Sequence, residues 1–241
     1  MEIIITGSTG GIGQCLVKRA IASHNIERIY CQYRNRKKFV DLFGNGNSKL
    51  VTEEYDTLYQ EKTSHILKEL YKNKPKNVAC VYTAFSISPI KKIGTYSLDE
   101  IKDNIDLNIR DIVFLTNCLV QFSKECKSQL KLIHFDSGAA YKPLDGWGMY
   151  CASKAYLNMF FQTVQLENPE VKIVSYEPGV VNTPMQEKIR EVEPEAFAQV
   201  QTFREYQKKG ILRDPDMVAE DVMKRFVVSW EGKNFQEGYG K

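Results

Sequence analysis

The strongest constraint on this chain stands at its very beginning. An apolar run, Ile3–Ile5, leads straight into Thr6-Gly7-Ser8-Thr9-Gly10-Gly11-Ile12-Gly13, and from Gly13 to Ala22 the apolar residues fall at helical spacing. A glycine-rich loop between a strand and a helix permits positive φ, removes the Cβ atoms that would block an approaching pyrophosphate, and lets the helix sit close to the sheet. The free N–H groups and positive dipole end of the helix then face the anion. Glycines scattered along a chain imply only turns; in this placement they imply a nucleotide. The pattern is not GxxxxGK[ST], so a P-loop is not expected, and it is not GxGxxG but Thr-Gly-x-x-x-Gly-Ile-Gly. Thr6, Gly7, Thr9, Gly11, Ile12 and Gly13 are therefore expected to hold a dinucleotide.

The rest of the chain repeats the same alternation. Further strands are predicted at Arg28–Tyr33, Leu50–Glu54, Asn77–Tyr82, Lys131–Phe135 and Val171–Tyr176. Between them lie a short helix and loop over Phe39–Ser48 and helices over Tyr59–Tyr71, Leu98–Phe122 and Met149–Gln165. Pro184–Lys209 reads as charged and helical, and Pro215–Trp230 as one more helix. Strands separated by helices of this length imply βαβ crossovers, hence an α/β fold: a doubly wound, Rossmann-type parallel sheet with helices on both faces. With 241 residues and neither a linker nor an internal repeat, residues 1–241 are expected to form a single domain.

Several function classes are excluded. The 33 basic and 30 acidic side chains leave a net charge of only +3, so no nucleic-acid partner is expected. No run of 18 apolar residues suggests a membrane span, and a chain whose first residues already read as a strand leaves no room for a cleaved leader. Six cysteines without CxxC spacing fit reduced thiols in the cytoplasm. His24, His65 and His134 are scattered, so no metal is expected.

The second informative block is Ser137-Gly138-Ala139-Ala140-Tyr141 followed by Trp147-Gly148-Met149-Tyr150-Cys151-Ala152-Ser153-Lys154. Ser137 lies just past a strand, where open α/β sheets present residues to ligands. Tyr150 and Lys154, four apart, share a helix face. A phenol near pKa 10 is a poor acid–base catalyst at neutral pH, but a nearby ammonium stabilises its phenolate and makes proton exchange with a carbonyl or alcohol oxygen feasible. A Tyr-x-x-x-Lys pair alone is usually just an exposed helical pair. Together with the glycine loop it is specific.

With these motifs the sequence resembles the short-chain dehydrogenase/reductase family over nearly its whole length, most closely the benzil reductase and sepiapterin reductase group. The resemblance rests on the glycine loop, Asn108, Ser137, Tyr150-Cys151-Ala152-Ser153-Lys154 and Pro178-Gly179-Val180-Val181-Asn182-Thr183. It implies that Tyr150 is the general acid for reduction, that Ser137 orients the carbonyl, and that Lys154 lowers the tyrosine pKa and binds the nicotinamide ribose. Asn108 would hold a water in the proton relay. Pro178, Gly179, Val181 and Thr183 would wrap the nicotinamide, Asp56 and Thr57 would contact adenine, and Ala84 would border the cofactor. A homodimer or homotetramer through the Leu98–Phe122 and Met149–Gln165 helices is implied, as is a substrate lid within residues 184–212.

Two departures stand out. Where the family usually has Asn-Asn-Ala-Gly, this chain has Tyr82-Thr83-Ala84-Phe85, and the residue before Ser137 is Asp136 rather than another serine. Arg34 ends the second strand with no acid between Tyr30 and Val40, which favours the 2′-phosphate of NADPH over NADH. Phe85, Tyr141, Leu144, Trp147 and Met185 are expected to form a mostly apolar substrate pocket. The expected activity is NADPH-dependent reduction of a small apolar ketone or dicarbonyl. The rival is a non-catalytic dinucleotide-binding redox sensor or interaction protein; it needs the glycine loop but not Asn108, Ser137, Tyr150 and Lys154.

Overall fold

The computed structural model describes residues 1–54, 60–232 and 235–240, without the side chains of 60–64. Among the described residues seven parallel strands form one sheet: β1 (Glu2–Thr6), β2 (Arg28–Tyr33), β3 (Leu50–Glu54), β4 (Asn77–Tyr82), β5 (Gln129–Phe135), β6 (Lys172–Glu177) and β7 (Gln236–Gly238). Their order is β3-β2-β1-β4-β5-β6-β7. β1 pairs with both β2 and β4. The strand order reverses between β1 and β4, and a crevice opens there at the carboxyl ends.

Side chains alternate along β1 and divide the core between the two faces of the sheet. Ile3 and Ile5 pack with Leu16 and Val17 of α1 (Gly11–Ala22) and with Val218, Val222 and Phe226 from the C-terminal region. Ile4 faces the opposite layer, where Leu115, Leu119, Leu157 and Phe161 pack with Ile66 and Leu70. Ten of these eleven partner side chains are buried completely, and Leu115 retains 3% exposure.

Helix boundaries differ from the sequence expectations for identifiable reasons. α2 (Arg36–Phe43) begins before Phe39 because the Asn35 side chain accepts the Lys38 N–H at 2.8 Å and caps it. α3 spans Gln60–Asn73; the expected start at Tyr59 lies outside the described residues. The expected Leu98–Phe122 helix consists of α4 (Leu98–Ile105), a π-helical turn over Asp106–Arg110, and α5 (Asp111–Cys126). The Asp106–Arg110 ion pair spans that turn at 2.7 Å. α6 covers Gly148–Glu167. The charged segment splits into α7 (Pro184–Glu191) and α8 (Val200–Lys208), because Pro194 has no N–H to donate and disfavours helical geometry at Glu193. The last expected helix is α9 (Pro215–Val222) continued by a π-helical turn to Val228. β7, three residues long and polar at Gln236 and Glu237, has no alternation by which to recognise it.

Candidate active site

A cleft of about 850 Å³ opens over the carboxyl ends of the central strands. Its floor is the glycine loop. Gly7 has φ +61°, and a Cβ there would lie 2.8 Å from the Ala84 backbone; at Gly13 it would lie 2.3 Å from the Gly7 carbonyl oxygen. The loop therefore tolerates side chains at neither position. Thr6 ties this floor to β4: its Oγ1 accepts the Thr83 and Ala84 N–H groups, each at 3.1 Å, while the Thr83 hydroxyl donates to the Thr6 carbonyl. Ser8 donates both its N–H and its hydroxyl to the Gln32 carbonyl, at 2.9 and 2.8 Å. α1 has Gly10 as its N-cap, with no side-chain cap and no acid in its first turn, so its positive end is free for an anion.

Thr9, Gly11, Ile12 and Arg34 border the same cleft, Arg34 being exposed beside Lys38. Asp56 and Thr57 lie outside the described residues. Pro178, Gly179, Val181 and Thr183 form the opposite wall. That wall is held by a residue the sequence did not reveal. Arg213 donates from Nη1 to the Pro178 carbonyl at 2.6 Å, exchanges backbone hydrogen bonds with Val180 and Asn182, and lays its guanidinium on the Tyr239 ring at 4.6 Å. A lone basic residue thirty positions downstream carries no local signal of that role.

Ser137 follows β5, and its Oγ accepts the Ala139 N–H at 3.2 Å, opening a 3₁₀ turn over Gly138–Ala140. Tyr150 and Lys154 project from the first turns of α6; both are buried and both border the cleft. Burial pushes the Tyr150 phenol up to about 12, opposed by a hydrogen bond from Ser137. Burial pushes the Lys154 ammonium down to about 8, opposed by the charge of Asp136. For the phenol the loss of water outweighs the opposing influence of Ser137, and for the ammonium it outweighs that of Asp136. The phenol stays protonated at neutral pH, as a general acid requires, and the lysine stays largely charged.

Lys154 donates to the Phe135 carbonyl at 2.6 Å, and its Nζ stands 3.7 Å from the centre of the Phe85 ring. Asp136 accepts from the Ser137 N–H (2.8 Å), the Tyr141 hydroxyl (2.7 Å), Asn158 (3.0 Å) and Ser175 (3.0 Å). This buried carboxylate has a full set of donors, which explains how an acid is accommodated beside the cluster.

Two expected site residues stand elsewhere. Asn108, in the π-helical turn, is fully buried and spends its side chain on Ser86, accepting the backbone N–H and donating to the carbonyl, each at 2.8 Å. Its amide positions the segment after β4 rather than lining the cleft. Tyr141 is more than half exposed and turns its hydroxyl toward Asp136, Asn158 and Gln236, so it does not contribute to the pocket wall. Phe85, Leu144, Trp147 and Met185 do line the cleft. Trp147 stacks on Phe197 at 4.6 Å and meets Phe203 at 5.4 Å, so the segment around α7 and α8 closes over this end. Lys142, Lys188, Gln199, Thr202 and Tyr206 also border it, from loops and helices where polar residues carry no signal.

Among the described residues no three His, Cys, Asp or Glu side chains gather as metal ligands, and no helix is long and apolar enough to cross a membrane.

Comparison with known proteins agrees with this geometry. The model of the short chain dehydrogenase family matches residues 2–194. A benzil reductase ((S)-benzoin forming) of Bacillus cereus is 31% identical over 228 residues, covering 91% of each chain. The sepiapterin reductase of Bos taurus is 34% identical over 127 residues, 52% of this chain and 46% of that one. Among solved structures, the YIR035C short chain dehydrogenase/reductase of Saccharomyces cerevisiae superimposes with a TM-score of 0.85 at 24% identity, over 99% of this chain and 96% of that one.

Proposed function

The chain belongs to the short chain dehydrogenase family of NAD(P)-dependent oxidoreductases, and on that premise we propose that it reduces a small, mostly apolar ketone or dicarbonyl with NADPH, Tyr150 acting as the general acid. The observation that carries this reading is that Ser137, the buried Tyr150 phenol and, one turn along α6, the buried Lys154 ammonium stand together in the wall of the cleft whose floor is the glycine loop.

The floor fits a dinucleotide. Side chains at Gly7 and Gly13 would strike the backbone of Ala84 and of Gly7 itself, so only glycine allows the loop its close fold, and the uncapped start of α1 presents N–H groups to a diphosphate. Thr6, Thr9, Gly11 and Ile12 would complete the cradle, Ala84, Pro178, Gly179, Val181 and Thr183 would border the nicotinamide half, and Arg34 would meet the adenosine 2′-phosphate. When bound, the nicotinamide supplies hydride. The chain supplies the proton: the Ser137 hydroxyl holds the carbonyl oxygen against the Tyr150 O–H, and Tyr150 transfers its proton to that oxygen as negative charge develops there. The Lys154 ammonium stabilises the phenolate left behind. Phe85, Leu144, Trp147 and Met185 offer an apolar wall suited to an aryl or alkyl ketone, in keeping with the benzil reductases of similar sequence.

The departure that most favoured a non-catalytic reading, Tyr82-Thr83-Ala84-Phe85, leaves the floor intact, since Thr83 and Ala84 still bond Thr6. The exposed Tyr156, Met159 and Leu166 of α6 support a homo-oligomer joined through that helix. The deciding experiment follows NADPH oxidation with a panel of diketones, aryl ketones and carboxylated ketones, using wild type and Tyr150→Phe. Wild type is expected to prefer an aryl diketone, and Tyr150→Phe to lose roughly 10²–10⁴-fold in kcat while still binding NADPH. Near-normal turnover by the phenylalanine variant would overturn the assignment.

A further inference from the structure

The Lys154 ammonium is almost dry, with 4% of the residue exposed. It carries three protons, and the described residues offer it one conventional acceptor, the Phe135 carbonyl at 2.6 Å. On another side its Nζ lies 3.7 Å from the centre of the Phe85 ring, whose edge-on partner at 5.6 Å and 89° is Tyr150. The electron-rich face of an aromatic ring attracts a cation most strongly where water is excluded. Phe85 is also the residue by which the segment after β4 departs from the glycine usual in similar sequences.

We propose that Phe85 is a positioning residue, its ring face replacing water for the Lys154 ammonium, fixing it against the Phe135 carbonyl and keeping it charged in the wall of the cleft. The inference rests on the reading that Lys154 serves the Tyr150 proton transfer. The other ionisable groups around the cation are accounted for. From β5 and its end come His134, which burial and the lysine charge hold well below its usual range and so neutral, and Asp136, whose charge favours the ammonium. From α6 itself comes Tyr150, protonated far above neutral pH. Burial opposes the charge more strongly than Asp136 supports it, so a ring face in direct contact has something to contribute.

The test measures Lys154 directly in the full, ligand-free chain, by NMR of lysine labelled at its ε-carbon, with Lys154→Met identifying the resonance. In Phe85→Leu, apolar but without a ring face, the titration midpoint of Lys154 is expected to fall by about one pH unit. In Phe85→Tyr it should stay with wild type. Phe85→Met carries the same test if the leucine variant fails to fold. A midpoint unmoved in the ringless variant overturns the proposal. The alkaline limb of NADPH-dependent ketone reduction should move with the lysine. If the midpoint falls while the limb stays, Phe85 does hold the cation, and it is the catalytic part assigned to Lys154 that fails.

Discussion

Arg34 shows how much one exposed side chain can decide. It borders the cleft at the end of β2, as Lys38 does, and no acidic residue falls between Tyr30 and Val40. A hydrogen bond to a charged group contributes about 1.5–3 kcal/mol, and exposure argues for the lower end, about tenfold in affinity. Arg34→Ala should therefore raise KM for NADPH about tenfold while leaving that for NADH nearly unchanged, as steady-state kinetics with each cofactor will show; equal weakening of both would mean that Arg34 does not read the 2′-phosphate. At this scale the sequence was legible where chemistry demands one residue type. Gly7, Gly13, Ser137, Tyr150 and Lys154 all border the cleft. It was illegible where a side chain has several partners to choose from. Nothing at Tyr141 announces that its hydroxyl turns to Asp136, and nothing at Arg213 announces that it holds Pro178.

Among the elements, six strands and their parallel arrangement followed from short apolar runs separated by helix-length crossovers, whereas β7 and the breaks within helices depended on tertiary partners. The π-helical turn at Asp106–Arg110 brings Asn104 onto the Ser88 carbonyl (2.7 Å) and Asn108 onto Ser86, contacts that no periodicity encodes. π-turns of this kind often accompany functional sites. The docking of α7 and α8 depends on a single glycine. Gly146 has φ +74°, and a Cβ there would lie 2.2 Å from the Ala196 carbonyl oxygen, next to the Phe197 ring that stacks on Trp147. Gly146→Ala is expected to push residues 192–199 outward. The KM for an apolar ketone should rise severalfold with NADPH affinity preserved, and limited proteolysis should cut within 192–199 faster than in wild type. An unchanged ketone KM would show that the aromatic stack does not shape the pocket.

For the molecule as a whole, burying Lys154 makes stability depend on pH in a definite sense. Its folded-state pKa of about 8 lies below the ordinary 10.5, so the unfolded chain binds this proton more tightly. The penalty is complete below pH 8, about 3 kcal/mol, and fades as pH rises from 8 to 10.5. Lys154→Met should thus be more stable than wild type at pH 7, with an advantage that shrinks by pH 10, in denaturant titrations of both proteins at the two pH values. A difference between the two proteins that ignores pH would show that the ammonium is not held dry. The meeting of Gly7 with Ala84 has a consequence in time as well. During synthesis, β1 emerges before β2 and can pair early with it, but the surface against which Gly7 must lie does not exist until β4 and the residues after it have left the ribosome. The glycine loop is therefore made before the surface that shapes it, and a nascent chain that ends short of β4 carries the whole glycine motif without the backbone it must lie against.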